Sequence, residues 1–110
     1  MKLPEELRNE IIERLKPLDP EMVVLFGSYA NGEPNENSDI DLYIVTKDDL
    51  MPHSWKDKSN LRLKYSQQLL DFRIRHAMDL IVYTRPMHKK FIEINSSFSR
   101  EVMNKGVRLL

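Results

Sequence analysis

Met22-Val23-Val24-Leu25-Phe26-Gly27-Ser28 and, after a polar stretch, Ser38-Asp39-Ile40-Asp41-Leu42 carry the strongest structural signal in this 110-residue sequence. The first run is continuously apolar and β-branched, which predicts a strand buried on both faces. Gly27-Ser28 halts it and opens a short turn or helix start. Asn31 to Ser38 is rich in turn formers and predicts a loop. From Ile40 to Thr46 the pattern alternates and then runs apolar, giving a second strand. A third, Ala77 to Thr84, repeats the apolar character but carries Asp79 near its start.

Helices fill the intervals. Leu3, Leu7, Ile11, Ile12 and Leu15 recur at helical spacing. Pro4 suits a first-turn position, Glu5 and Glu6 suit the positive end of the helix dipole, and Lys16-Pro17-Leu18-Asp19-Pro20 ends the helix. Lys47 to Asp57 reads as a connection. Leu61, Tyr65, Leu69, Phe72 and Ile74 predict a long helix over Asn60 to His76. Pro86 opens another helix holding Phe91, Ile92 and Ile94. Phe98, Val102 and Met103 form a last short helix with Gly106 as C-cap, and Val107 to Leu110 adds an edge strand. The expected fold is α/β (α+β): one domain over residues 1–110, with a small mixed β-sheet and helices packed on it.

Composition narrows the function classes. Hydrophobic residues make up 41% and charged residues 31%, as in a folded soluble domain. No apolar run approaches the ~20 residues that span a bilayer. The N-terminus turns acidic at once and shows no signal-peptide core, so a cytoplasmic location without membrane contact is expected. The absence of cysteine excludes disulfides, thiolate zinc and a cysteine nucleophile. Seventeen basic residues balance seventeen acidic ones, so general nucleic-acid binding is not expected. Basic residues cluster between Lys56 and Arg75, which is more often the solvated side of a helix than a binding face. His53, His76 and His88 lack metal-ligand spacing and suit surface or packing roles. Trp55 and Tyr65 suit packing or surface placement before base stacking.

Asp39 and Asp41, two apart on a strand, point to one face. Side by side they repel, and burial unpaired would cost several kcal/mol. A divalent cation relieves both problems, and hard oxygen ligands favour Mg²⁺ or Mn²⁺. If the Asp79 strand pairs beside this one, three carboxylates converge, enough for two ions ~3.5–4 Å apart. At Gly27-Ser28, glycine permits close backbone approach, and exposed N–H groups plus the Ser28 hydroxyl make a phosphate cradle. Each element alone has a plainer explanation: a turn, a solvated strand edge, an arginine partner for Asp79. Together and in this order they describe triphosphate chemistry.

The segments Phe26-Gly27-Ser28-Tyr29-Ala30-Asn31-Gly32 and Ser38-Asp39-Ile40-Asp41-Leu42, with Asp79 on a later strand, resemble the signature of the DNA-polymerase-β-like nucleotidyltransferase superfamily. Within it the chain is most similar to the minimal nucleotidyltransferases. The resemblance implies the polymerase β-like fold, with Gly27 and Ser28 binding the phosphates of an NTP, ATP foremost. Asp39 and Asp41 would ligate both metals, and Asp79 would ligate the catalytic one and help deprotonate the attacking hydroxyl. It also implies a HEPN-domain partner, with the chain acting as antitoxin by transferring AMP to a tyrosine of that toxin. A homodimer or hetero-oligomer would suit a small open sheet, which often exposes an edge or apolar patch. The chain departs from the motif at Asn31, where members often carry arginine. The alternative is a non-catalytic module that neutralises or scaffolds a partner protein, with nucleotide as ligand only.

Overall fold

The computed structural model describes residues 3–35, 37–52 and 54–110, with the backbone alone at Trp55. His53 and the side chain of Trp55 therefore lie outside the described residues.

Helix α1 runs over Glu5–Leu15 and continues into a 3₁₀ turn at Lys16–Leu18. Strand β1 is Met22–Phe26, the single turn α2 is Ser28–Asn31, and β2 is Ile40–Val45. Helices α3 (Trp55–Gln68) and α4 (Leu70–Arg75) lead to β3, Met78–Tyr83. Helix α5 is Arg85–Ile94 and α6 is Ser97–Arg100, which passes into a π-helical turn at Glu101–Lys105. Strand β4, Val107–Arg108, closes the order.

The four strands form one mixed sheet in the order β3-β2-β1-β4. β1 runs antiparallel to both β2 and β4, whereas β2 and β3 are parallel. A parallel pair needs a crossover, which α3 and α4 supply. The doubly buried character expected of β1 is present: Val23 and Leu25 join the core beneath α1, α3 and α4, while Val24 and Phe26 join a second cluster with Val102 and Phe91. Helices thus cover both faces of the sheet.

Leu61, Tyr65, Leu69 and Phe72 form the inner stripe of α3 and α4, and the last three are fully buried. Each such side chain contributes ~1.5–3 kcal/mol. The long helix differs from expectation in three respects. It starts earlier, at Trp55, because the Ser54 hydroxyl accepts from the Asp57 amide (3.2 Å) and caps it. It bends at Leu69 (φ −100°, ψ 11°), where α3 gives way to α4. Ile74 is 76% exposed, because its place on the helix is opposite the buried stripe. On α5 the packing residue is Phe91, while Ile92 and Ile94 are exposed.

Gly106 ends the last helical turn, but not as a left-handed cap: its backbone is extended (φ −70°, ψ 159°). Glycine is required there for room. A Cβ would lie 2.2 Å from the Val102 carbonyl oxygen and 2.5 Å from Val24 Cγ1. No helix among the described residues is long and apolar enough to cross a membrane.

Candidate active site at the carboxylate end of the sheet

Ile40, Leu42 and Ile44 of β2 face the larger core, so Asp41, Tyr43 and Val45 face the other way. Asp39 immediately precedes the strand and is exposed, whereas Asp41 is half-buried. The parallel register pairs Asp41 directly with Asp79 on β3, and the antiparallel register pairs Asp41 with Phe26 on β1. The sheet therefore brings the Asp39–Asp41 segment, Asp79 and the Gly27–Ser28 turn to one end.

Like charges on adjacent strands repel, and Asp41 shows the result. Its carboxyl is pushed up to about 6, first by burial and then by Asp79, Asp39 and Glu101. Glu101, on the π-helical turn, is a fourth carboxylate that the sequence did not mark, because it arrives sixty residues away by tertiary packing alone.

Gly27 explains how Asp41 is held. Its backbone (φ 77°, ψ −155°) lies in a region that side chains disfavour. A Cβ there would stand 2.2 Å from Asp41 Oδ2. The close approach that glycine permits is thus made by the protein's own carboxylate. After Gly27 the chain turns at once into α2, whose end is tied by the Gly32 and Glu33 amides donating to the Ser28 carbonyl (both 3.0 Å).

Asp79 stands on the edge strand, largely exposed, 4.0 Å from the Arg62 guanidinium. Arg62 Nε also donates to the Leu80 carbonyl (3.2 Å), so this α3 arginine caps the open edge of the sheet beside the carboxylates. Among the described residues, no three acidic or histidine side chains are grouped closely enough to hold a metal ion as they stand. The backbone brings the carboxylates to one end of the sheet.

A polar cavity of about 400 Å³ adjoins Asp39, lined also by Tyr29, Asn37, Ser38, Arg75 and His76. His76 packs its ring against Phe72 (4.8 Å between centroids), and Arg75 bonds to Glu10, whose carboxyl it holds below the usual range. These residues carried no sequence signal of function, since helix-end cations are ordinary. A larger, mainly apolar cavity of about 460 Å³ lies at the other end of the sheet, by Asp48, Met51, Leu61 and Thr84, away from the aspartates.

Aspartates stand abreast in the sheet here, against a glycine turn, where like charges repel. The chain belongs to the polymerase β nucleotidyltransferase family, whose sequence model matches residues 9–110. It is 35% identical over 88 residues to a Methanocaldococcus jannaschii protein to which protein adenylyltransferase activity is provisionally ascribed. That match covers 79% of this chain and 76% of the relative. Among solved structures, it is similar to a chain of a toxin–antitoxin complex crystallised with AMP-PNP: TM-score 0.54, 25% identity, covering 94% of this chain and 72% of that one. A provisionally named nucleotidyltransferase from Sulfolobus solfataricus gives TM-score 0.55 and 25% identity, covering 94% of this chain and 76% of that one. The expected fold, a small mixed sheet flanked by helices in the polymerase β-like order, is the one found.

Proposed function

We propose that this chain transfers AMP from ATP to a hydroxyl of a partner protein, a tyrosine of a HEPN-domain toxin, and so acts as the antitoxin of a pair. The observation that carries the proposal is Asp41, pressed against Gly27, in register with Asp79 and raised to about 6 by burial and three neighbouring carboxylates. Support for the acceptor comes from the adenylyltransferase name of the archaeal relative and from the toxin–antitoxin complex that the fold matches.

In this proposal Asp39, Asp41 and Asp79 hold Mg²⁺ or Mn²⁺, two ions in all, and the Gly27–Ser28 turn receives the triphosphate. The residues fit such ions: the donors are hard carboxylate oxygens, and the charge crowding at Asp41 is what a divalent cation offsets. A bound divalent cation would polarise the α-phosphate and ease deprotonation of the acceptor hydroxyl. Asp79, the most exposed of the strand carboxylates, takes the acceptor's proton. The acceptor oxygen bonds to the α-phosphorus, the bridge to the β-phosphate breaks, and pyrophosphate leaves.

The test is transfer of label from α-labelled ATP, with Mg²⁺ or Mn²⁺, to a co-encoded HEPN-domain protein. Label on a partner tyrosine, lost when Asp39 and Asp41 are both changed to Asn, is the expected result. A double variant that still protects cells from the toxin would show that contact suffices and chemistry does not matter.

A further inference from the structure

Helices α3 and α4 carry a second apolar stripe besides the buried one. Leu63, Leu70 and Ile74 are 50%, 53% and 76% exposed, on the side opposite Tyr65, Leu69 and Phe72. With Gln67 they recur at spacings of four, three and four residues, Leu63-Gln67-Leu70-Ile74. That is the a/d spacing of a short coiled-coil seam, with Leu at d and Gln or Ile at a. The Leu69 amide donates to the Tyr65 carbonyl (3.2 Å) and the Arg73 amide to the Leu69 carbonyl (2.8 Å), which carries the helical rotation through the bend.

We infer that this seam pairs with the same seam of a second copy of the chain, antiparallel about a two-fold axis between Gln67 and Leu70. The pattern is self-complementary under that symmetry. Leu63 meets Ile74 of the second copy and Gln67 meets Leu70, and the reciprocal contacts repeat them. The flanking charges match as well, since Lys64 then faces Asp71. Lys64 takes part in no ion pair among the described residues. Asp71 bonds Arg14 at 3.1 Å yet keeps its side chain 71% exposed, with room for a second cation. Four layers span about 18 Å of helix. A seam of this length makes only a small interface, so the pair dissociates on dilution. The inference is independent of the transfer chemistry proposed above.

Sedimentation velocity from micromolar to millimolar protein tests it, with far-UV circular dichroism confirming that each exposed-site variant is folded. The average mass should rise from one chain to two. Leu70→Glu should weaken association by about tenfold or more. Lys64→Asp and Asp71→Lys should each weaken it, and the two together should restore it, because both charges are exchanged across the axis. A chain that is monomeric throughout, a dimer indifferent to Leu70→Glu, or a double reversal whose losses add would overturn the inference. So would a monomer whose Leu70→Glu variant loses binding to a different protein or to anionic vesicles, since the seam would then serve that ligand.

Discussion

Asp41 and Tyr43 are two residues apart on one face of β2, and their surroundings are opposites. Tyr43 is fully buried, stacks on Phe91 (4.9 Å), meets Tyr83 edge-on (5.5 Å) and shares a 2.6 Å hydrogen bond with His88 Nδ1. Burial holds the Tyr43 hydroxyl above its ordinary range and His88 below its own, so both stay neutral and bonded to each other. Asp41 has three carboxylates around it and, among the described residues, no cation that offsets them. One strand thus passes within a single pleat from a polar group whose needs are met to one whose needs are not. The first position stabilises the fold. The second opposes it, which is expected where a site is shaped for a ligand rather than for packing.

The contrast can be broken from either side. The largest effect expected is on transfer: Asp41→Asn should lower its rate by about a thousandfold or more, on the order of 4 kcal/mol in barrier, in a labelled-ATP assay. The same change should leave the urea midpoint unchanged or raised, since it removes a repelled charge. Tyr43→Ala should do the reverse, destabilising the fold by ~3–5 kcal/mol in urea titration, as for other buried aromatics cut to alanine. Gly27→Ala should cost ~1–3 kcal/mol for the positive-φ, extended-ψ backbone alone, which is essentially glycine-only. It should also impair transfer, because the new methyl displaces the Asp41 carboxylate.

A smaller effect concerns pH. The folded Asp41 carboxyl lies at about 6, above its ordinary 3.8, so the folded state holds this proton more tightly than the unfolded chain. Its contribution is therefore full below about pH 4 and is lost as pH rises through about 6. Melting temperatures of metal-free protein should fall over that window, and Asp41→Asn should flatten this component of the profile. The smallest change is expected from Glu101→Gln. Glu101 is the weakest of the influences on Asp41, so a carboxyl NMR titration should show only a slight downward shift.

Much of this was legible in the sequence, and the exceptions have physical causes. β1 could be recognised because Val23 to Phe26 is apolar on both faces, and the Asp79 strand because a charge interrupts an apolar run. Parallel pairing of β2 with β3 could be posed only as a condition, since no local pattern states which strands become neighbours. Ile74 falls in one helical run with Leu61, Tyr65, Leu69 and Phe72, yet two residues beyond Phe72 it lies on the outer side, and such a run alone does not separate inner positions from outer ones. Gly106 was correctly expected to end a helix, but its requirement comes from Val24 and Val102, neither of which the local sequence reveals. At the site, Asp39, Asp41, Asp79, Gly27 and Ser28 could be named from pattern. Arg62 and Glu101 could not, because they reach the aspartates from elements whose packing is set elsewhere.

In the proposed function the carboxylate end of β2 is the cation and nucleotide site and the tyrosine end is scaffold. Titration with Mn²⁺, followed by amide NMR, tests it most directly through paramagnetic broadening. Signals of Gly27, Ser28, Asp41 and Asp79 should broaden first, those of Val45 and His88 should persist, and Asp41→Asn should abolish the selectivity. Broadening that is absent, uniform along β2, or unchanged in Asp41→Asn would contradict the account.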